Sequence, residues 1–267
     1  MRGKKGKRFR ALKEKLEYHY ARYDKTAVSP DPIDFPRRFG KPENIELAAF
    51  LSSVFAYGNV KAILRALDFI SDLLGENPYD ALVSEKSGLL ARIRKSGLRY
   101  RFYSNEDIAR LFEMLKHAYG EFGSLENLFM KSYEPSAPNL RNEIELFNAW
   151  FLNECEKANC STRGFRFMFP QPSKGSAVKR MNLFLRWMVR KDEIDFGLWR
   201  GIPKNRLVIP LDVHVARISR ELGLTKRNDN GWKTAVEITE TLKLFDENDP
   251  IKYDFALCHI GMRKEVF

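Results

Sequence analysis

Apolar residues recur at intervals of three and four through most of the chain, the spacing that gathers them on one face of an α-helix. The stretch "FRALKEKLEYHYARYD" (9–24) has this pattern, and "DPIDFPRRFGKP" (31–42) follows as a proline-rich connection. "NIELAAFLSSVFAYGNVKAILRALDFISDLL" (44–74) predicts two helices broken near Gly58, the second capped by Asn59. "SNEDIARLFEMLKHAYGEF" opens with Ser104 and Asp107 in a capping-box pattern, and "PNLRNEIELFNAWFLNECEKA" (138–158) predicts a further long helix. In "NCSTRGFRFMFPQPSKGS" the period changes. Phe165, Phe167 and Phe169 alternate as in a short extended piece, serving either as core or as a base-stacking platform. Helical spacing returns at 175–191, then in "PLDVHVARISRELGL", 232–246 and 250–262. No alternating run is long enough for a sheet, no internal repeat is present, and the fold class is all-α.

Composition agrees with a soluble globular chain: 44% of the 267 residues are hydrophobic and 30% charged. No apolar run approaches the roughly 20 residues that span a bilayer. The basic N-terminus lacks the apolar core of a signal peptide. Cys155, Cys160 and Cys258 leave one thiol unpaired under any disulfide scheme, which points to a reducing compartment, and a cytoplasmic protein is expected.

Charge changes the picture more. Of a net +11, residues 1–16 supply +7, as a solubilising or phosphate-binding arm. Residues 157–191 hold nine Lys and Arg and no acid. Such a run is either a solvated face or, interleaved with Phe165, Phe167, Phe169 and Trp187, a surface for a structured anionic partner.

Within 175–191, Ala177, Val178, Met181, Phe184, Leu185 and Met188 make the apolar face, while Lys179, Asn182, Arg186 and Arg190 share another. Lys179 lies in the first turn, where the helix dipole disfavours a cation. It is either a solvated surface lysine or, beside other cations and partly buried, an amine able to act as a nucleophile. Asp212 in "IPLDVHV" is an N-cap by its setting. Taken together, a lysine nucleophile facing a carboxylate fixed at a helix start suits the opening of a glycosidic bond.

"SAVKRMNLFLRWMVRKDEIDFGLW" followed by "IPLDVHVARI" resembles a bacterial and archaeal family of uncharacterised proteins. The likeness extends from "DPIDFPRRF" and "LSSVFAYGNV" to "DPIKYDFALCHIGM". That family is similar to the helix–hairpin–helix DNA glycosylase superfamily, closest to the archaeal 8-oxoguanine branch. The separation of 33 residues from Lys179 to Asp212 is close to that branch. The resemblance implies a bilobal all-α fold with a cleft between lobes: 1–42 and 190–267 carrying the aspartate, 43–189 the lysine. It implies Lys179 and Asp212 as catalytic residues, Arg186, Asp254, Cys258 and Tyr57 around the base, and Arg163, Arg166, Lys174, Gly175 and Arg180 on the DNA. The chain departs from the superfamily in lacking the L-P-G-[VI]-G hairpin, with only Gly175 in "PQPSKGSAV". Arg186 also stands for a lysine and Cys258 for an aromatic residue, and the planar Arg fork is not equivalent to an ammonium.

The implied activity is a DNA glycosylase with apurinic/apyrimidinic lyase activity on an oxidised purine such as 8-oxoguanine. It acts as a monomer on double-stranded DNA with a damaged base or abasic site, with no metal, organic cofactor or membrane. The alternative is a non-catalytic DNA- or RNA-binding protein on the same scaffold. Tyr57 or Phe55 can line the pocket or fill the gap left by a flipped base; equally, both can be core. His214 reads as a packed or capping residue. Cys155 and Cys160 with His117 or His259 lack metal-ligand spacing, and no P-loop, Rossmann fingerprint or nucleophile elbow is present.

Overall fold

The computed structural model describes residues 2–22 and 28–263, with side chains for 9–22 and 28–258. The end of the expected 9–24 helix, the side chains of the first eight residues of the basic arm, and that of His259 lie outside this range. Among the described residues there is no strand, only isolated bridges such as Ser176 with Gly231, and the fold is all-α. No described helix is long and apolar enough to cross a membrane. The chain divides into two compact units, Pro30–Lys174 and Met1–Ser29 with Gly175–Phe267. These boundaries differ from the expected 42/43 and 189/190, and the difference matters: Lys179 falls in the same unit as Asp212.

The chain enters through α1 (Arg2–Tyr20). In the unit 30–174 the proline-rich connection is more ordered than its composition implies. It forms two 3-10 turns, Pro32–Asp34 and Pro36–Arg38, the first held by an Asp31 capping box. Then come α2 (Pro42–Phe55) and α3 (Val60–Leu74), separated at Gly58, with the Asn59 side chain accepting from the Lys61 N–H at 2.9 Å. Two short helices, α4 (Pro78–Val83) and α5 (Leu89–Ser96), were not legible in the pattern. The Ser104–Asp107 capping box starts α6 (Asn105–Phe122), whose last turn ends at Gly123 in the left-handed conformation that glycine adopts at low cost. The helices α7 (Leu125–Met130) and α8 (Arg141–Lys157) follow. Buried Glu46 accepts from Tyr119 OH and from the backbone N–H of Leu125 and Glu126, so its charge is satisfied at the start of α7.

Residues 163–169 are not the extended piece that alternating phenylalanines suggest. They form α9 (Arg163–Met168), N-capped by Thr162. Phe165 and Phe169 are four apart, so a helix buries both and turns Phe167 outward. Phe169 stacks on Phe151 at 4.6 Å, and Phe50 and Phe147 complete the aromatic core. Burying each such ring is worth about 2 kcal/mol.

Cys155 and Cys160, at the end of α8, are joined as a disulfide.

The other unit combines α1 with α10 (Lys179–Val189), α11 (Val213–Leu222), α12 (Trp232–Lys243) and α13 (Asp254–Arg263). Phe9 of α1 packs on Phe245 at 4.3 Å, and Glu17 accepts from Tyr253 OH at 2.6 Å and pairs with Lys252 at 3.0 Å. The N-terminal helix is thus part of this core, although its sequence neighbours belong to the other unit.

Candidate lysine–aspartate site

The site begins in the backbone ahead of α10. Gly175 has φ +85°, and its carbonyl accepts the Trp232 N–H at 3.1 Å. A side chain at Gly231 would meet that carbonyl at 2.6 Å, so the crossing needs a glycine there. Ser176 Oγ accepts the Val178 N–H at 3.1 Å, and Val178 caps the helix at φ 43°, ψ 42°. A β-branched residue in the left-handed region is strained, and here the buried Val178 side chain holds it in place. Lys179 is then the first helical residue.

Asp212 arrives on an extended segment pinned by the Ile209 N–H to Thr239 Oγ1 at 3.1 Å. Its Oδ1 accepts the N–H groups of His214 and Val215, both at 2.9 Å, which makes it the N-cap of α11. Its Oδ2 lies 3.4 Å from Lys179 Nζ. Capping and pairing, which look like rivals in the sequence, are performed by different oxygens of one carboxylate. The pair is neither sealed nor fully solvated, with side-chain exposures of 35% for Lys179 and 19% for Asp212. A separation of 3.4 Å is an ion pair rather than a tight hydrogen bond.

Behind the pair, the polar face expected of α10 is buried. Asn182 donates to the Ala177 carbonyl, while Arg186, two turns after Lys179, is only 1% exposed. Arg186 donates to Asp254 Oδ2 at 2.5 Å and to Asp195 Oδ2 at 3.2 Å, with its guanidinium 4.1 Å from the Phe255 ring centroid. Arg190 grips Asp249 with two donors at 2.8 and 3.2 Å and also meets Asp195 and Asp192. Lys204 adds a second cation to Asp249 at 3.3 Å.

Burial raises the Asp195 carboxyl to about 6 despite the two guanidinium groups beside it. Burial also raises Asp254; Asp212 adds to the rise, and Arg186 and Lys179 oppose it. Burial opposes the charged form of Arg186, but Asp195 and Asp254 outweigh it and hold the guanidinium above its usual range. The two carboxyls thus shift opposite to the direction a simple ion pair gives, while Arg186 shifts with it. Desolvation of the carboxyls is the larger effect, and Arg186 stays charged in either case.

Sequence reasoning missed Asp195 and Asp249. Asp195 carried only a positional signal, since "DEID" begins where the acid-free run ends; Asp249, in "ENDP", carried none.

The remaining expected residues separate by unit. Arg186 and Asp254 are brought together, and Cys258 sits half-buried one turn further along α13. Tyr57, Arg163, Arg166 and Lys174 belong to the unit 30–174. Arg163, Arg166 and Lys174 are exposed, and Arg166 donates to Ser161 Oγ at 2.8 Å. Gly175 is exposed with open space around it, whereas Arg180 is buried at 8% exposure, which turns it away from a solvent-facing phosphate role. Val213 and His214 follow Asp212, and the His214 backbone rather than its ring meets the carboxylate. Among the described residues no cluster of His, Cys, Asp and Glu is arranged to hold a metal ion.

An all-helical protein with a lysine and a carboxylate presented by two helix starts is the class that fold and site define. By comparison with family profiles, the chain belongs to DUF2400, a family of unknown function, which matches residues 31–263. No curated protein matches the chain. No solved structure matches it either.

Proposed function

We propose that the protein is a DNA glycosylase with apurinic/apyrimidinic lyase activity, built on the helix–hairpin–helix glycosylase architecture and acting on an oxidised purine. The observation that carries this reading is the Lys179–Asp212 pair at 3.4 Å, with Asp212 oriented by two backbone N–H groups. With a nucleotide flipped out to the pair, the Lys179 amine, having lost a proton, attacks C1′ of the deoxyribose. The C1′–N bond to the base breaks, and the base leaves with that bonding pair and with the proton that the attacking amine sheds, relayed through Asp212. Asp212 stabilises the positive charge developing on the sugar and accepts the amine's proton. Opening of the C1′–O4′ bond gives a Schiff base, which acidifies the C2′ proton; its removal expels the 3′ phosphate by β-elimination. The exposed Arg163, Arg166 and Lys174 supply cations for phosphates.

The test is borohydride trapping on duplexes carrying an abasic site or 8-oxoguanine. A covalent protein–DNA band is expected for the wild type, lost in Lys179→Gln and weakened in Asp212→Asn. No band on any lesion, with both variants folded, would remove the Schiff-base reading.

A non-catalytic nucleic-acid-binding protein is favoured by one observation. The guanidinium of Arg186 is fully engaged with Asp195 and Asp254, which leaves it little freedom to read a base. Salt-sensitive DNA binding without trapping would decide for it.

A further inference from the structure

A second cationic, acid-free stretch exists outside the lysine site. Residues 91–105 hold Arg92, Arg94, Lys95, Arg99 and Arg101 and no Asp or Glu. At its end the backbone makes a tight turn in which Tyr100 and Tyr103 exchange hydrogen bonds at 3.0 and 2.8 Å, so Arg101 and Phe102 form the tip. Arg101 is held at φ 51°, an uncommon conformation for a residue with a side chain. Its guanidinium lies 5.4 Å from the Tyr57 ring centroid and 5.9 Å from that of Phe102. Gly58 makes this possible: a Cβ there would meet the Arg101 guanidinium at 2.9 Å.

Three hydrogen bonds tie the turn to Tyr57. Tyr57 OH accepts from the Phe102 N–H at 3.3 Å and donates to the Tyr100 carbonyl at 3.2 Å, while Tyr100 OH donates back to the Tyr57 carbonyl. Tyr57 and Phe102 lie nearly parallel, 9° apart with centroids at 6.3 Å, and Phe167 meets both edge-on at 5.2 and 5.4 Å. Phe102 is 64% exposed and Phe167 41% exposed. Large exposed rings are costly unless a partner covers them. Phe102 and Phe167 come from two cationic, acid-free stretches, which selects a partner with flat apolar faces on a negative backbone.

We infer that Tyr57, Arg101, Phe102 and Phe167 form a stacking platform for the unpaired bases of a single-stranded nucleic acid. A duplex hides its base faces, so only an unpaired stretch offers them to exposed rings. The platform extends the nucleic-acid reading above, from which it takes its polyanionic partner, but uses none of the lysine chemistry.

The experiment measures binding of the full chain to three labelled probes at one salt concentration: oligothymidylate, a base-free sugar–phosphate strand of equal length, and a duplex. Per stacked base, oligothymidylate is expected to bind about 5- to 150-fold more tightly than the base-free strand. Phe102→Ala and Phe167→Ala are expected to lower that ratio toward one with the circular dichroism unchanged, while Lys179→Gln leaves it intact. Equal binding of the two single strands, or a ratio unmoved by Phe102→Ala, would overturn the proposal. The two readings fail separately: no trapped band with a base-dependent ratio loses the lyase and keeps the platform. A trapped band with a ratio of one does the reverse.

Discussion

At Asp212 one side chain does two jobs, and substitution can divide them. Asp212→Asn keeps an oxygen for the N–H groups of His214 and Val215 but gives up the charge facing Lys179. Asp212→Ala gives up both. The alanine variant is expected to lose about 1 kcal/mol of stability, the usual value of an N-cap, and the asparagine variant less. Urea denaturation of the two variants measures this. A partly exposed ion pair adds little of its own, so the stability difference should track the cap while trapping tracks the charge. Arg101 offers a complementary case. Arg101→Gly relieves a left-handed side-chain residue and adds backbone entropy to the unfolded chain, effects that offset to within about 1 kcal/mol. A near-unchanged melting temperature with weakened oligothymidylate binding is the expected result.

At the scale of the element, α10 is the unusual member. A helix with Arg186 and Arg190 on its polar face reads as a solvated or DNA-facing surface, yet both are sealed against Asp195, Asp249 and Asp254. Arg190→Ala would leave Asp249 with Lys204 alone and Asp195 with Arg186 alone, and is expected to cost up to about 3–5 kcal/mol, read as a fall in the denaturant midpoint. The cluster also sets a pH dependence. The folded carboxyl of Asp195 is raised to about 6, so the native state binds its proton more tightly than the unfolded chain does. Its contribution is therefore fully present at low pH and declines as pH rises from the ordinary carboxylate range through about 6. In Asp195→Asn this decline disappears. Thermal melts of both proteins across that window should diverge, with the wild type gaining less on the way up; parallel curves would show that Asp195 is not the group responsible.

For the whole molecule, connectivity and compactness do not coincide. Residues 30–174 are a continuous stretch with its own aromatic core, while the other unit is assembled from both ends of the chain. The fragment 30–174 is expected to fold alone, with a helical spectrum and a cooperative melt. A fragment beginning at Gly175 lacks α1, whose Phe9 and Glu17 pack against or pair with the C-terminal segment. It is expected to be less helical than its length predicts and to regain structure when a peptide spanning α1 is added. Circular dichroism of the two fragments, alone and with the peptide, distinguishes these cases.

Much of this architecture was readable along the chain because its causes are local. The caps at Asn59, Ser104 and Asp212 each act within three residues, and the helical period repeats within four, so the helix starts and the all-α class follow from short-range hydrogen bonding and periodicity. Lys179 and Asp212 stood out for the same reason, as residues at helix starts. Where local signals were ambiguous, the reading slipped: phenylalanines at period two also satisfy a helix in which Phe165 and Phe169 share a face. Tertiary structure alone decided that Lys179 and Asp212 belong to one unit and lie 3.4 Å apart, and that Arg186 meets Asp254 across 68 positions of sequence. It also decided that Arg101 lies over Tyr57 across Gly58. The physical reason is that a charge or a ring takes its partner from whatever packing brings within a few ångströms. That depends on where whole helices settle, not on the residues beside it in the chain.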